Sequence, residues 1–302
     1  MPVNKTTFLD ASNTREPSDS IWGTCPVDEL GSDLRKGWIF YDDFRDLPLA
    51  PTETTQIAYG DYKVFATTSA SVAPVHAVNS VDTGIVLANS VVVSTSASIA
   101  QPYGQARLSG VTGTDGKLWF EACVAIKGIL ATTQGFFLGL AETDLFTLAT
   151  GVPINGGAAT ITNGGSMIGF QSIETGPLAI NTVMSDRATS FTTIQAGVAG
   201  TLPVGLVPAF EPAGPPAGVA AGSFGATAYT FTKLGMIYDP AQSGGCITFF
   251  QDGLPFATQY SNASLIGTTN LKANSLAMML AVIGTGTGAV YMKWWRCAQL
   301  YP

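Results

Sequence analysis

Histidine is nearly missing from this chain, with a single copy, His76, in 302 residues. One imidazole cannot build a two-histidine metal site, and a Ser-His-Asp triad would need it beside an activated serine. Its setting, Ala73-Pro74-Val75-His76-Ala77, reads as a loop or surface position. G-x-S-x-G, H-E-x-x-H, the P-loop and a G-x-G-x-x-G leading into a helix are all lacking. Gly284-Thr285-Gly286-Thr287-Gly288 has the composition of a phosphate loop but joins two strand-like segments, with no helix dipole behind it. The four cysteines (Cys25, Cys123, Cys246 and Cys297) are far apart and form no C-x-x-C pair. Free buried thiols are expected, not zinc ligands or a disulfide framework, and neither a cofactor nor a metal is implied.

Charge is also scarce, at 12% of residues, with a net charge of −7 and no basic cluster beyond Arg35-Lys36. A nucleic-acid partner would require a basic stripe to displace counterions, so none is expected. The longest unbroken apolar run, Leu276–Ile283, is far too short for a membrane-spanning helix, and no membrane partner is expected either. Met1–Lys5 has no apolar core of a secretory leader, from which synthesis in the cytoplasm is expected. The triplets at Asn4 and Asn262 fit glycosylation sites, but without a leader they carry no weight.

What the chain does have is apolar surface, 46% of residues, and 34 glycines. Hydrophobicity without a membrane segment must go into a core or into contacts with other chains. The pattern that organises it has a period of two. In Lys117–Ile126, Leu118, Phe120, Ala122, Val124 and Ile126 share one face, with Trp119, Glu121, Cys123 and Ala125 on the other. Gly135–Ala141 is apolar on both faces, as a central strand would be. Further strands are predicted at Trp38–Tyr41, Gly84–Val93, Met167–Ile173, Tyr229–Tyr238, Leu276–Ile283 and Ala289–Cys297. Ile247–Phe256 contains Asp252-Gly253 between two apolar runs, the signature of a tight hairpin. No stretch carries a helical apolar stripe over three turns, so the class is all-β.

Residues 1–37 form an extended N-terminal arm, and 38–302 a β-sandwich domain with loop insertions at 142–166 and 174–228. The arm is polar apart from Phe8, Leu9, Ile21 and Trp22, and reads either as a loose terminus or as a strap onto a neighbouring subunit. Residues 197–228 hold one charge, Glu211, and include Phe210 and Phe224. So little charge suits a projecting loop packed on a partner better than a solvated one. Phe8, Ile21, Trp22, Phe210 and Phe224 are therefore the candidate partner contacts.

Carboxylate catalysis finds little support. Lys117–Ile126 holds only Glu121, and a glycosidase pair would need a second carboxylate sharing its face. Asp42 and Asp43 are adjacent and would point to opposite faces of a strand, a strand-end pair or, less simply, calcium ligands. Sugar binding without catalysis would need exposed aromatic rings, for which Trp119 and Trp294 are the candidates. Trp294 and Trp295 are adjacent, so one is expected in the core and the other exposed.

Taken in order, WIFYDDF at Trp38–Phe44, GKLWFEACVAI at Gly116–Ile126, GFFLGLA at Gly135–Ala141, MIGF at Met167–Phe170 and F-x-D-G-x-x-F at Phe250–Phe256 resemble the concanavalin A-like lectin/glucanase jelly roll, including laminin-G-like modules. That resemblance implies an antiparallel jelly-roll β-sandwich across most of 38–300. Its glycosidase members carry their acid/base residues at E-x-D-x-E spacing, which this chain lacks, so the resemblance implies no enzymatic activity here. Within the superfamily the acidic sandwich, polar arm and Ala/Gly/Thr-rich insertions are most similar in style to capsid decoration (cement) proteins of tailed bacteriophages. This implies a virion protein on the capsid exterior, a homotrimer whose partner is the major capsid protein. The alternative is a lectin-like module that binds a surface glycan.

Overall fold

The computed structural model describes residues 16–44, 57–59, 62–66, 72–76, 85–88, 95–100, 106–108, 116–127, 134–142, 154–155, 160–161, 166–172, 181–185, 192–195, 231–241, 246–255, 260–261, 276–284 and 289–302. Two short helices come first, α1 (Asp19–Trp22) and α2 (Val27–Ser32). Strands follow as β1 (Gly37–Asp42), β2 (Ile57–Tyr59), β3 (Tyr62–Ala66), β4 (Val72–His76), β5 (Ile85–Ala88), β6 (Thr95–Ala100), β7 (Leu118–Lys127), β8 (Gln134–Glu142), β9 (Ile154–Asn155) and β10 (Thr160–Ile161). The second half supplies β11 (Met167–Ser172), β12 (Asn181–Ser185), β13 (Thr192–Gln195), β14 (Thr232–Asp239), β15 (Cys246–Gln251), β16 (Leu254–Pro255), β17 (Tyr260–Ser261), β18 (Leu276–Gly284) and β19 (Ala289–Leu300).

These strands make the jelly-roll β-sandwich implied by the sequence. The first sheet runs β16-β15-β14-β7-β19-β5-β4, with β1 pairing the far end of β19 and β17 the near end of β15. The second runs β13-β12-β11-β8-β18-β6-β3-β2, and β9 and β10 form a small ribbon of their own. All of the pairings are antiparallel. Neighbouring strands are distant in sequence, as in β7 beside β14 and β19, and β8 beside β11 and β18.

Alternation explains which residues fill the space between the sheets. Leu118, Phe120, Ala122 and Val124 of β7 meet Phe136, Leu138 and Leu140 of β8, with Ile168, Phe170, Met278 and Leu280. Phe170 and Phe249 pack edge to face at 5.5 Å. The outward faces of the central strands are buried too. On the second sheet Phe137, Ala141, Met167, Ala277, Met279 and Ala281 point away from this core, yet none is solvent-exposed. That is why GFFLGLA and LAMMLA read as apolar on both faces. Gly139 and Gly169 are register partners, and a Cβ on Gly139 would come within 2.7 Å of Gly169 Cα. Only glycine permits that approach.

The hairpin forms as expected. Asp252 and Gly253 both take positive φ, 48° and 78°, which a two-residue turn of matching twist requires. Asp252 does structural work besides: its carboxylate accepts from Lys233 N at 2.8 Å and Thr232 Oγ1 at 2.9 Å. The Asp-Asp-Phe element closes β1 in a similar way. Asp42 Oδ1 accepts from Phe44 N at 2.6 Å, Tyr62 Oη donates to Asp42 Oδ2, and Trp295 Nε1 donates to Tyr62 Oη at 3.2 Å. Asp42 is thus a strand-end cap.

Several expectations need revision. Residues 19–32 contain helical turns where none was predicted, and segments β9, β10, β12 and β13 lie inside stretches read as loops. His76 ends β4, opposite Ile85, and does not sit in a loop. Trp294 and Trp295 do point to opposite faces, beside Cys123 and Ala122 of β7, but they do not divide between core and solvent, because the outward face is covered as well. Both indoles are buried, at 2% and 0% exposure.

Candidate functional site

The outer face of the first sheet carries the densest polar chemistry among the described residues, because residues 16–36 lie across it. Starting at the hairpin, Ser20 Oγ donates to Gly253 O. Ile21 sits over Gly235 of β14, where a Cβ would come within 2.6 Å of its Cδ1. Thr24 Oγ1 accepts from Trp119 Nε1 at 3.1 Å. Leu30 packs beside Gly37 at the start of β1. Ile21, Trp22, Cys25, Leu30, Trp119, Phe250 and Ala298 make a second apolar core, separate from the one between the sheets. This segment therefore works as a strap that crosses β15, β14, β7 and β19 and buries the outward residues of β7.

Glu121 lies at the centre of the strap. It is fully buried, and Oε2 accepts from Ser18 N at 3.0 Å and Trp22 Nε1 at 2.8 Å. Oε1 has no hydrogen-bond partner. Burial raises the Glu121 pKa; the Ser18 and Trp22 donors and the nearby Lys233 ammonium pull against it without cancelling it. Lys233 is itself tied to the strap, donating from Nζ to Glu16 O at 3.2 Å.

Arg296 of β19 is the register partner of Glu121, so the two charges share one face of neighbouring strands. They do not form a simple ion pair. Trp22 comes between them, giving its indole N–H to Glu121 while its ring lies 5.0 Å from the Arg296 guanidinium. Tyr41 lies on the same guanidinium at 4.7 Å. Arg296 Nε is buried without a hydrogen-bond partner, and burial lowers this side chain's pKa. Above it opens a cleft of ≈ 590 Å³, lined by Trp22, Cys25 and Arg296 at the strap and by Glu16, Asp19, Asp28 and Glu29. Lys36 holds Glu29 at 2.6 Å.

The sequence candidates now have places. Ile21 and Trp22 are 0% and 7% exposed, their apolar surface used against the chain's own first sheet. Trp119, 1% exposed, lies beneath the strap, and Trp294 is buried as well, so neither offers a ring to a sugar at the surface. Phe8, Phe210 and Phe224 lie outside the described residues. Tyr41 and Arg296 were missed: Tyr41 read only as part of a strand, and nothing in linear sequence places Arg296 opposite Glu121. None of the four cysteines forms a disulfide, and all are buried. Among the described residues no group of three or more His, Cys, Asp or Glu is arranged to hold a metal ion, and no helix is long and apolar enough to cross a membrane.

No protein-family model matches the chain, and no curated protein does. Solved structures do. A peanut lectin bound to a nonapeptide superposes with a TM-score of 0.46 at 11% identity, covering 88% of this chain and 99% of that one. A Bauhinia forficata lectin in complex with GalNAc gives the same four values. The endo-1,3-β-glucanase of Streptomyces sioyaensis has a TM-score of 0.45 at 12% identity, over 87% and 96% of the two chains. Likenesses this distant carry nothing about activity.

Proposed function

We propose that this chain is a non-enzymatic structural protein of a virion, a capsid decoration or cement protein that binds neighbouring capsid subunits and associates with itself as a homotrimer. What supports the reading is how the described sandwich uses its carboxylates. Glu121 holds the strap, Asp42 caps β1, Asp252 ties the hairpin to β14, Glu142 accepts from Ser166 N, and Asp239 pairs with Lys117 at 3.2 Å. Carboxylates committed in this way are not free to act as an acid/base pair. The function would be thermodynamic. A protein that binds only the assembled shell stabilises it by mass action, provided each contact buries on the order of 1,000 Å² or more. In this reading Phe8, Phe210 and Phe224 remain the partner contacts, and the major capsid protein is the partner.

Light scattering on the full chain tests the proposal, with trimer mass as the expected result. Deleting residues 1–15 should weaken attachment to capsids while Ile21 and Trp22 keep the sandwich intact. A monomer that attaches to no shell would refute it. A lectin-like module is the second reading, favoured by Trp22, carboxylates and the Arg296 guanidinium lining the cleft, with Tyr41 4.7 Å from that guanidinium. It predicts saturable glycan binding that is lost on replacing Tyr41, and a glycan array without hits would remove it.

A further inference from the structure

We infer that the cleft over Arg296 is a receptor for a carboxylate group. Three observations lead there, and none depends on the chain being a capsid protein. The guanidinium is held in place, with Trp22 at 5.0 Å and Tyr41 at 4.7 Å from their ring centroids. Its register partner Glu121 does not use it, because both donors to Glu121 Oε2 come from the strap. Among the described residues no acceptor takes its buried Nε–H, and the side chain lines the cleft. A planar guanidinium fixed by aromatic rings fits the two oxygens of a carboxylate, and the ≈ 590 Å³ cleft lies within the usual range for small-molecule sites.

The surroundings limit which anion can enter. Glu16, Asp19, Asp28 and Glu29 line the same cleft, and Glu121 lies behind Trp22. A doubly charged phosphate would face several carboxylates with one guanidinium to balance it. A monocarboxylate needs only that one cation. If the ligand also carries an ammonium group, the acidic rim adds attraction in place of repulsion. Two sources share this chemistry, an amino acid or peptide and a uronic sugar.

The side-chain Nε–Hε resonance of Arg296, followed by NMR on the full chain, reads the site directly. Acetate, glucuronate and lysine would each be titrated at constant ionic strength, with chloride as control. A saturable shift with the carboxylates and none with chloride is expected. Lysine binding more tightly than acetate would identify an amino acid or peptide source, and glucuronate binding more tightly would identify a sugar. Arg296→Lys, followed through the Trp22 indole N–H resonance because the arginine signal is gone, should abolish saturation. Should that variant not fold, Tyr41→Leu keeps the cation but removes one ring, and about a tenfold loss of affinity is expected, the effect of losing one modest contact. Tyr41 is 45% exposed, so the sandwich should tolerate its loss. Shifts that never saturate, that chloride reproduces, or that persist unchanged in both variants would overturn the inference.

Discussion

Replacing Trp22 with alanine tests the strap most directly. The indole is 7% exposed, so the substitution removes nearly a whole tryptophan from a packed site, and changes of this kind cost about 3–5 kcal/mol. It also strips Glu121 Oε2 of one of its two donors while Oε1 already has none. Leaving a buried acceptor short of a partner adds about 1–3 kcal/mol. These losses are not fully additive, because the strap can detach. Once the penalty exceeds the strap's own docking energy, residues 16–36 leave the sheet and the sandwich between the sheets survives.

The expected outcome is therefore local. Hydrogen exchange across residues 16–32 should accelerate by about a hundredfold or more, the equivalent of roughly 3 kcal/mol of lost protection. The central strands β7, β8 and β18 should keep most of theirs. Trp22→Phe separates the contributions: it retains the ring but not the N–H, and should cost about 1–3 kcal/mol. Adding Glu121→Leu to Trp22→Phe removes both polar partners and should recover much of that loss. If Trp22→Ala changes urea stability by less than about 1 kcal/mol and leaves exchange in the strap unchanged, Trp22 does not fasten it.

Protonation should tighten the strap. Burial raises the folded-state pKa of Glu121 above its ordinary 4.5, so its neutral form is the one that docking favours. The stability this confers is full below the unfolded value and is lost as pH rises through the raised folded value. Urea titrations of wild type and Glu121→Gln should show the variant gaining on wild type over that interval, and a constant difference would refute the argument. Thiol labelling should be slow, because burial pushes Cys25 up to about 12 and also raises Cys123 and Cys297 well above their ordinary values. Cys25 belongs to the strap core, so it should react faster in Trp22→Ala while Cys123 and Cys297 react only on unfolding; rapid modification of all of them in the native protein would contradict this burial. Gly139→Ala should destabilise the second sheet by about 1–3 kcal/mol or prevent folding, since the added Cβ meets the Ile168–Gly169 backbone. Calorimetry showing an unchanged Tm would rule that contact out.

The strands that build the sandwich were legible because each has an alternating or doubly apolar pattern, and because Asp252-Gly253 fixes one turn. The short strands at 181–185 and 192–195 were not, since a five-residue segment such as Asn181–Ser185 takes its structure from pairing with β11, which is absent from its own sequence. Trp294 failed for another reason. Alternation does send it to the face opposite Trp295, but that outward face is itself covered, which the pattern of a single strand cannot show. The candidate site shows the deeper difficulty. Glu121 stood out in the sequence as the one acid of Lys117–Ile126, without the second carboxylate that a glycosidase pair would need. Its use depends on an indole from 99 residues upstream and a guanidinium from β19, brought together only when β7 pairs with β19 and the strap lies across both. Trp22, expected from the sequence as a contact for a neighbouring subunit, fills a pocket. That pocket is formed by the chain's own Glu121 and Arg296, so an aromatic in a polar terminal segment signals docking without saying to which chain. Any contact this protein makes with a partner through residues 16–36 must therefore use the strap's outer surface and the cleft beside it, or first break the hydrogen bonds to Glu121.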